Sequence, residues 1–273
     1  MGFIIDNRNM YDKFKKLLNQ EFFVDKSNII NDFNKLIDKD GSNNVCITKP
    51  RRFGKTSIAA MLTTYYSIGF DSQEIFDKLK VSKGKSSDET KKKKEIKQYR
   101  EFQGKYHTLY FDFSSDLFSG KECEEFKQKI NNILKKDIIE FYPEPNVSNN
   151  LSNDILENIQ NIYNKTGDRF IIIIDEWDYL ISNNDFSPEE KVKYIRFLKS
   201  LIKDKGYSAF AYMTGITPIA KEFSQSTLNC FTEYSMLKIK NIINILVLRN
   251  KKFAIFVKKI KKLIKIVKLN MKI

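Results

Sequence analysis

A glycine, a lysine and a threonine in succession are the first residues whose types and spacing could do chemistry. Gly54, Lys55 and Thr56 form the second half of the pattern G-x-x-x-x-G-K-[ST]. In that pattern backbone N–H groups cradle phosphates, the lysine reaches the β/γ phosphates and the hydroxyl binds Mg²⁺. Lys49 stands where the first glycine is expected. Because a bare GKT also arises by chance, its surroundings must support it.

An acidic pair follows the most apolar run of the chain. Residues 170–174 read FIIII and lead directly into Asp175 and Glu176. Such a run is typical of a strand buried on both faces, where terminal carboxylates are costly unless they serve a purpose. In P-loop ATPases the first acid holds Mg²⁺ and the next can act as a general base. The alternative is a helix N-cap formed by Asp175 or Asp178.

A third motif ends another apolar run in a hydroxyl. Residues 210–215 read FAYMTG and contain Thr214. This side chain could lie between the two earlier motifs and sense a γ-phosphate, or it could belong to a simple strand-end turn. Three such motifs in the order P-loop, acid and sensor are more specific together than any one alone.

Alternating strands and helices must position these motifs. Strands are predicted at 44–48, 108–113, 170–174 and 207–213. Helices are predicted at 55–66, 122–141, 151–163 and 188–203, with two more in 10–40, the second capped by Ser27. This alternation predicts an α/β fold with a mainly parallel sheet flanked by helices. The GKT turn then lies between a strand and a helix, as phosphate binding requires.

The charge is unevenly distributed. The net charge is +14, but residues 238–273 contain 12 of the 48 Lys and Arg and no acid, which leaves 36 basic and 34 acidic residues in 1–237. The near-neutral body gives little support to a nucleic-acid partner. We interpret 238–273 as a basic low-complexity tail from a shifted reading frame or truncated gene model. The alternative is a genuine segment that binds membrane or nucleic acid.

The chain divides into three predicted parts. Residues 1–40 form an N-terminal helical region, and 41–237 form the core that carries all three motifs. A Lys-rich insertion at about 82–105 is expected to be a solvated surface segment, with a phosphate-contacting loop as the alternative. The tail at 238–273 is the third part.

Other residues bound the function further. No apolar run is long enough to span a membrane, and the N-terminus lacks the features of a signal peptide. Cys46, Cys123 and Cys230 have no metal-site spacing, and His107 is the only histidine, so no histidine triad exists. We expect an intracellular, cytoplasmic protein with reduced cysteines.

Together the motifs resemble those of the AAA-ATPase-like family. These are predicted P-loop ATPases of gut bacteria and anaerobic fungi, related to STAND and archaeal ATPases and often fused to a nuclease domain. The resemblance covers about residues 10–237, and Trp177 replaces the family's usual tyrosine. The matching stretches are FVDKS (23–27), PRRFGKT (50–56), LYFDFS (109–114), IIIDEWD (172–178), MTGI (213–216), FS (223–224) and LN (228–229).

The resemblance implies a P-loop NTPase fold with an ASCE-type strand order. The strand of Thr214 would lie between the P-loop strand and the strand of Asp175, and 231–237 would form the fifth strand. The family also marks Asp25 and Asp112, without defining their chemistry.

The resemblance further implies ATP as the nucleotide, with Mg²⁺ and hydrolysis. The expected nucleotide-binding residues are Arg51, Arg52, Phe53, Gly54, Lys55 and Thr56, the Mg²⁺ ligands Thr56 and Asp175, and the catalytic residues Glu176 and Thr214. Arg51 and Arg52 could equally form structural ion pairs with Asp25 or Asp178. Two functional alternatives stay open: a nucleotide-dependent binding or regulatory module with little turnover, and an inactive truncated fragment. No motif identifies a protein partner.

Overall fold

The computed structural model describes residues 2–39, 41–118, 120–182, 186–219 and 230–235. The basic tail at 238–273, with its reading-frame interpretation, lies outside the described residues. So do the family-matching residues 223–224 and 228–229. Within the described ranges, no helix combines the length and apolar character that crossing a bilayer would need.

A five-stranded parallel sheet forms the centre of the fold. Its strands are β1 (Asn44–Thr48), β2 (His107–Asp112), β3 (Phe170–Asp175), β4 (Ser208–Gly215) and β5 (Thr232–Ser235), in the order β2-β3-β4-β1-β5. The strand that contains Thr214 therefore lies between the P-loop strand and the acidic strand, and the fifth strand pairs with β1. The expected position of the Thr214 strand is confirmed, and the expected fifth strand at 231–237 is found at Thr232–Ser235, with residues 236–237 outside the described residues. Three adjacent parallel strands bring the three motifs to the same edge of the sheet.

Helices cover both faces of the sheet. They are α1 (Arg8–Leu18), α2 (Asn28–Phe33), α3 (Lys55–Tyr66), α4 (Gln73–Asp77), α5 (Glu89–Phe102), α6 (Cys123–Phe141), α7 (Pro145–Ser148), α8 (Ile155–Thr166), α9 (Tyr179–Ser182) and α10 (Pro188–Ile202). Along β3, Ile172 and Ile174 pack into the core beneath α6, α8 and α10, whereas Ile171 and Ile173 pack into the core with α1, α2 and α3. Side chains that alternate between two covered faces explain why the whole strand is apolar.

Side-chain caps set helix starts that differ from the predicted ones. The helix predicted at 151–163 begins at Ile155, because the carboxylate of Asp154 accepts the N–H groups of Leu156 and Glu157. Helix α1 begins at Arg8, where Asn7 accepts the N–H of Met10. Such caps satisfy donors that have no partner within the helix.

The predicted cap of the second helix by Ser27 is wrong. The Oγ of Ser27 accepts the N–H of Val81 at 3.0 Å and makes no cap bond to α2. Its neighbour Asp25 accepts the N–H groups of Ser27 and Lys80. Both side chains thus join the 23–27 loop to the segment that follows α4.

The Lys-rich segment at 82–105 contains a packed helix, α5. Two of its residues are buried: the carboxylate of Glu95 accepts Lys35 Nζ at 2.7 Å, and the carbonyl of Tyr99 accepts the hydroxyl of Tyr65 at 2.7 Å. Lys91, Lys93 and Lys94 are exposed. The lysine run therefore faces solvent, while the opposite side of the helix docks on the α2–α3 face.

The N-terminal segment covers the edge of the sheet. Ile5 bridges Leu109 of β2 in antiparallel fashion. Asp137 of α6 accepts the N–H groups of Phe3, Ile4 and Ile5 at 3.1, 2.6 and 2.9 Å. Burial raises the pKa of this carboxyl, and the three backbone donors partly oppose the rise. One side chain therefore holds the segment that closes the β2 edge.

Replacing Asp137 by alanine should destabilise the protein by roughly 2–4 kcal/mol, because it leaves buried backbone N–H groups without an acceptor. Urea unfolding measures the effect. Asp137→Asn is the matched control and should lose less, since it keeps one acceptor oxygen. Equal stability of Asp137→Ala and the wild type would contradict the anchoring role.

Candidate functional site

The turn between β1 and α3 has the backbone geometry that its sequence predicts. Gly54 has φ +79°, a left-handed conformation that favours glycine. Arg52 has φ +67°, which is strained for a residue with a side chain. Helix α3 begins immediately afterwards at Lys55, so its first N–H groups face the turn. The turn can therefore present several backbone donors to an anion.

A cavity of about 610 Å³ opens beside this turn at the carboxyl edge of the sheet. Its lining residues are Lys13, Arg51, Arg52, Gly54, Lys55, Thr56, Ser57, Asp112, Ser114, Asp175, Glu176 and Tyr179. Most of the predicted site residues thus lie around one cavity. Phe53 and Thr214 do not line it: Phe53 is 40% exposed, whereas Thr214 is fully buried.

Lys55 connects the turn to the acidic pair. Its Nζ donates to the carbonyl oxygen of Lys49 at 3.2 Å and lies 3.4 Å from Oε1 of Glu176. The lysine side chain is almost entirely buried, whereas that of Glu176 is partly exposed. The ammonium is therefore held between the carbonyl of the turn and the carboxylate of Glu176.

Asp175 is a buried carboxylate with a strongly shifted pKa. Burial raises the pKa to about 6, and the nearby charges of Asp112 and Glu176 add to the rise. A hydrogen bond from Thr56 and the charge of Lys55 oppose it. Within the part of the chain that the structure describes, Oδ1 of Asp175 has no hydrogen-bond partner. This oxygen can therefore accept a cation or a donor.

The backbone at Glu176 is strained and firmly held. Its φ is +53°. The next residue, Trp177, donates its N–H to the carbonyl of Thr214 at 3.0 Å, and its own carbonyl accepts the hydroxyl of Tyr194 at 2.6 Å. Strained backbone of this kind persists only where the surroundings fix it. The bonds to β4 and α10 therefore set the direction of the Glu176 side chain.

The structural alternatives for the charged residues are not realised. Asp178 accepts the backbone N–H groups of Ile216 and Thr217, so its side chain fixes the loop after β4 and caps no helix. Asp175 ends a strand. Among the described residues, neither Arg51 nor Arg52 forms an ion pair with Asp25 or Asp178. Both arginines instead line the cavity.

The donor set fits Mg²⁺ only with help from a ligand. In the described ranges no group of three or more His, Cys, Asp or Glu side chains could hold a metal. Mg²⁺ usually binds one or two carboxylates together with substrate phosphates and water. The Asp175 carboxylate accepts a hydrogen bond from Thr56 and has a second oxygen, Oδ1, without a partner among the described residues, so these two side chains suit that mode.

Several lining residues were not predicted as site residues from sequence. Lys13 lies on the exposed side of α1, 42 positions before Lys55, and nothing in its local pattern distinguishes it. Asp112 was marked only by the family resemblance. Its Oδ1 accepts the N–H and hydroxyl of Ser114, and it pairs in register with Asp175. His107 lies elsewhere, with Nδ1 2.7 Å from Asp6 Oδ2.

Comparison with known proteins gives a family. A family model described as "Predicted AAA-ATPase" matches residues 10–223. A solved structure of the Aeropyrum pernix ORC2 protein, in ADPNP–ADP complexes, is similar at 10% identity with a TM-score of 0.38, over 85% of this chain and 52% of that one. The chain thus spans about half the length of that protein. No curated protein sequence matches it.

Replacing Asp175 by asparagine should stabilise the isolated protein at high pH. Its pKa rises from 3.8 to about 6 on folding, so the ionised carboxylate destabilises the folded chain above pH 6. That cost disappears as the pH falls from about 6 towards 4. This pKa difference of about two units corresponds to a loss of roughly 3 kcal/mol in the free energy of unfolding at high pH.

Urea unfolding at pH 8 and at pH 5 tests this expectation. The variant should be more stable than the wild type at pH 8, and its advantage should be smaller at pH 5. Asp71→Asn, at an exposed position, is the matched control and should change neither value. A variant that is less stable than the wild type at pH 8 would contradict the account of Asp175.

Proposed function

This chain belongs to the predicted AAA-ATPase family, and we propose that its P-loop binds ATP with Mg²⁺ and hydrolyses the nucleotide. One observation carries the proposal. A single cavity of about 610 Å³ brings the Gly54-Lys55-Thr56 turn against Asp175 and Glu176. A phosphate-binding turn that faces a carboxylate pair is the arrangement that Mg²⁺-assisted phosphoryl transfer needs.

The turn would bind the phosphates. The backbone N–H groups of residues 52–56 and the first turn of α3 supply neutral donors. The ammonium of Lys55 supplies a positive charge that is already largely out of water. Arg51 and Arg52 are exposed at the cavity, where their guanidinium groups can reach phosphate or ribose oxygens.

Two side chains would hold Mg²⁺. These are Thr56, through its hydroxyl, and Asp175, through the oxygen that has no hydrogen-bond partner among the described residues. When bound, the ion neutralises phosphate charge and makes the terminal phosphorus more open to attack. A cation beside Asp175 would also offset the cost of burying this carboxylate.

Glu176 would act as the general base. Its carboxylate accepts a proton from the attacking water, a role that requires the strained backbone to aim the side chain into the cavity. Glu176 lies 3.4 Å from the Lys55 ammonium. Phosphate oxygens compete for that ammonium, so nucleotide binding would free the base.

Thr214 would act indirectly. Its side chain is buried and does not line the cavity, but its carbonyl accepts the N–H of Trp177 directly after Glu176. A shift at the end of β4 would therefore be transmitted to the base. We retain the sensor role as part of the proposal, with this backbone link as its route.

A nucleotide-dependent binding module with little turnover is the second candidate. The ion pair between Lys55 and Glu176 favours it, because a base that stays bound to the lysine would hydrolyse ATP slowly. The assembled cavity favours a working site over the inactive-fragment alternative. Turnover measurements distinguish the two remaining candidates.

Glu176→Gln should lower the ATP turnover rate by about 100-fold or more, since general bases contribute roughly 10²–10⁴-fold. It should leave ATP affinity unchanged or tighter, because the amide no longer attracts Lys55. Steady-state phosphate release and equilibrium binding on the full chain measure both. Glu101→Gln, at an exposed position on α5, is the matched control.

The outcomes separate the candidates. If Glu176→Gln hydrolyses ATP at the wild-type rate, Glu176 is not the general base. ATP binding without turnover in the wild type would favour the binding module. Loss of binding in Glu176→Gln would mean that this residue holds the nucleotide rather than the water.

A further inference from the structure

Lys49 occupies the position at which the phosphate-binding pattern has its first glycine. Its N–H donates to the carbonyl of Gly215 at 3.0 Å, and its carbonyl accepts Lys55 Nζ at 3.2 Å. The φ angle of Lys49 is not positive, so its backbone conformation does not require glycine. The turn therefore keeps its shape while gaining a side chain at this position.

The side chain of Lys49 is buried without a partner. The residue is 2% exposed, and among the described residues its Nζ has neither a hydrogen-bond acceptor nor a carboxylate within ion-pair distance. Burial, together with the charge of Lys26, lowers its pKa to about 8, so it remains largely protonated near neutral pH. A buried, unpaired ammonium is costly, and an anion beside it would offset that cost.

Lys26 approaches the same turn from the 23–27 loop. Its Nζ lies 3.5 Å from the position that a Cβ on Gly54 would occupy. Burial lowers its pKa as well. Lys26 therefore lies next to the turn that carries Lys55, close enough for its charge to lower the pKa of Lys49.

An apolar slot of about 160 Å³ lies beside Lys26. Its apolar lining comes from α1, the 22–24 loop and α3, and it shares Gly54 and Ser57 with the turn. Lys26 also lines it. An aromatic base suits an apolar slot, whereas phosphates suit the turn. Lys26 then lies near the boundary between the two, and its charge acts on Lys49, which is buried behind the turn and lines neither cavity.

We propose that Lys49 is a second phosphate-binding lysine, whose ammonium, with Lys26 beside it, binds the part of the ATP phosphate chain nearest the nucleoside. The inference rests on the proposed function and adds a contact to it. Lys55 serves the β/γ end of the chain, and Lys49 serves the end that ATP and ADP share. The substitution of glycine by lysine therefore replaces a permissive backbone position with a charged contact.

Lys49→Met tests the contact because methionine keeps the length and apolar stem without the ammonium. The full chain is compared as wild type, Lys49→Met, Lys49→Arg and Lys16→Met, the last being an exposed α1 control. Dissociation constants for Mg·ATP and Mg·ADP, and melting temperatures with and without each nucleotide, are measured for all four.

Lys49→Met should lower the affinity for both ATP and ADP by about 10- to 100-fold, the range expected for losing a hydrogen bond to a charged group. Its melting temperature without nucleotide should equal or exceed that of the wild type, because an unpaired buried charge is gone. Its stabilisation by nucleotide should shrink. Lys49→Arg should retain part of the affinity, and Lys16→Met should match the wild type.

Other outcomes would overturn the inference. Affinities of Lys49→Met within about threefold of the wild type would remove the contact. A loss of affinity for ATP alone would mean that Lys49 contacts the γ-phosphate, which contradicts its placement at the phosphates that ATP and ADP share. A lower melting temperature with intact nucleotide stabilisation would make Lys49 structural. If the wild type binds neither nucleotide, the proposed function fails first and this inference fails with it.

Discussion

A carboxylate held almost entirely out of water at the tip of an internal strand is the constraint on which the site depends. Asp175 can lie there because β3 is buried on both faces and ends at the edge where β1 and β4 also end. Its raised pKa measures the cost of that position. The hydrogen bond from Thr56 and the charge of Lys55 reduce this cost, so the acidic strand and the phosphate-binding turn stabilise each other.

Around this carboxylate the site contains charges of both signs that are only partly compensated. Among the described residues, neither Oδ1 of Asp175 nor Nζ of Lys49 has a hydrogen-bond partner. Glu176 has a strained backbone held by its neighbours. A ligand that carries both negative charge and a divalent cation would satisfy the carboxylate oxygen and the ammonium at once. A magnesium–nucleotide complex is such a ligand, which is why the electrostatics and the family lead to the same proposal.

Sequence reasoning worked where the signal was local. The apolar FIIII run, the GKT turn and the Pro188 helix start are each encoded within a few residues, and the parallel sheet follows from their alternation. Sequence reasoning failed where contacts between residues far apart in the chain determine the structure. Asp137 anchors residues that lie 132 to 134 positions away, and Ser27 bonds to Val81 rather than capping its own helix. Lys49 could be identified as a missing glycine, but its burial could not be read from the pattern.

Calorimetric titration of Mg·ATP into the full chain, wild type against Lys55→Met, tests the central claim most directly. Circular dichroism first establishes that both proteins are folded. The account predicts a dissociation constant in roughly the micromolar range for the wild type, dependent on Mg²⁺, and a loss of at least about tenfold in the variant, because a charge-assisted bond to phosphate is removed. A folded wild type that binds no ATP, or a variant that binds as tightly, would contradict it.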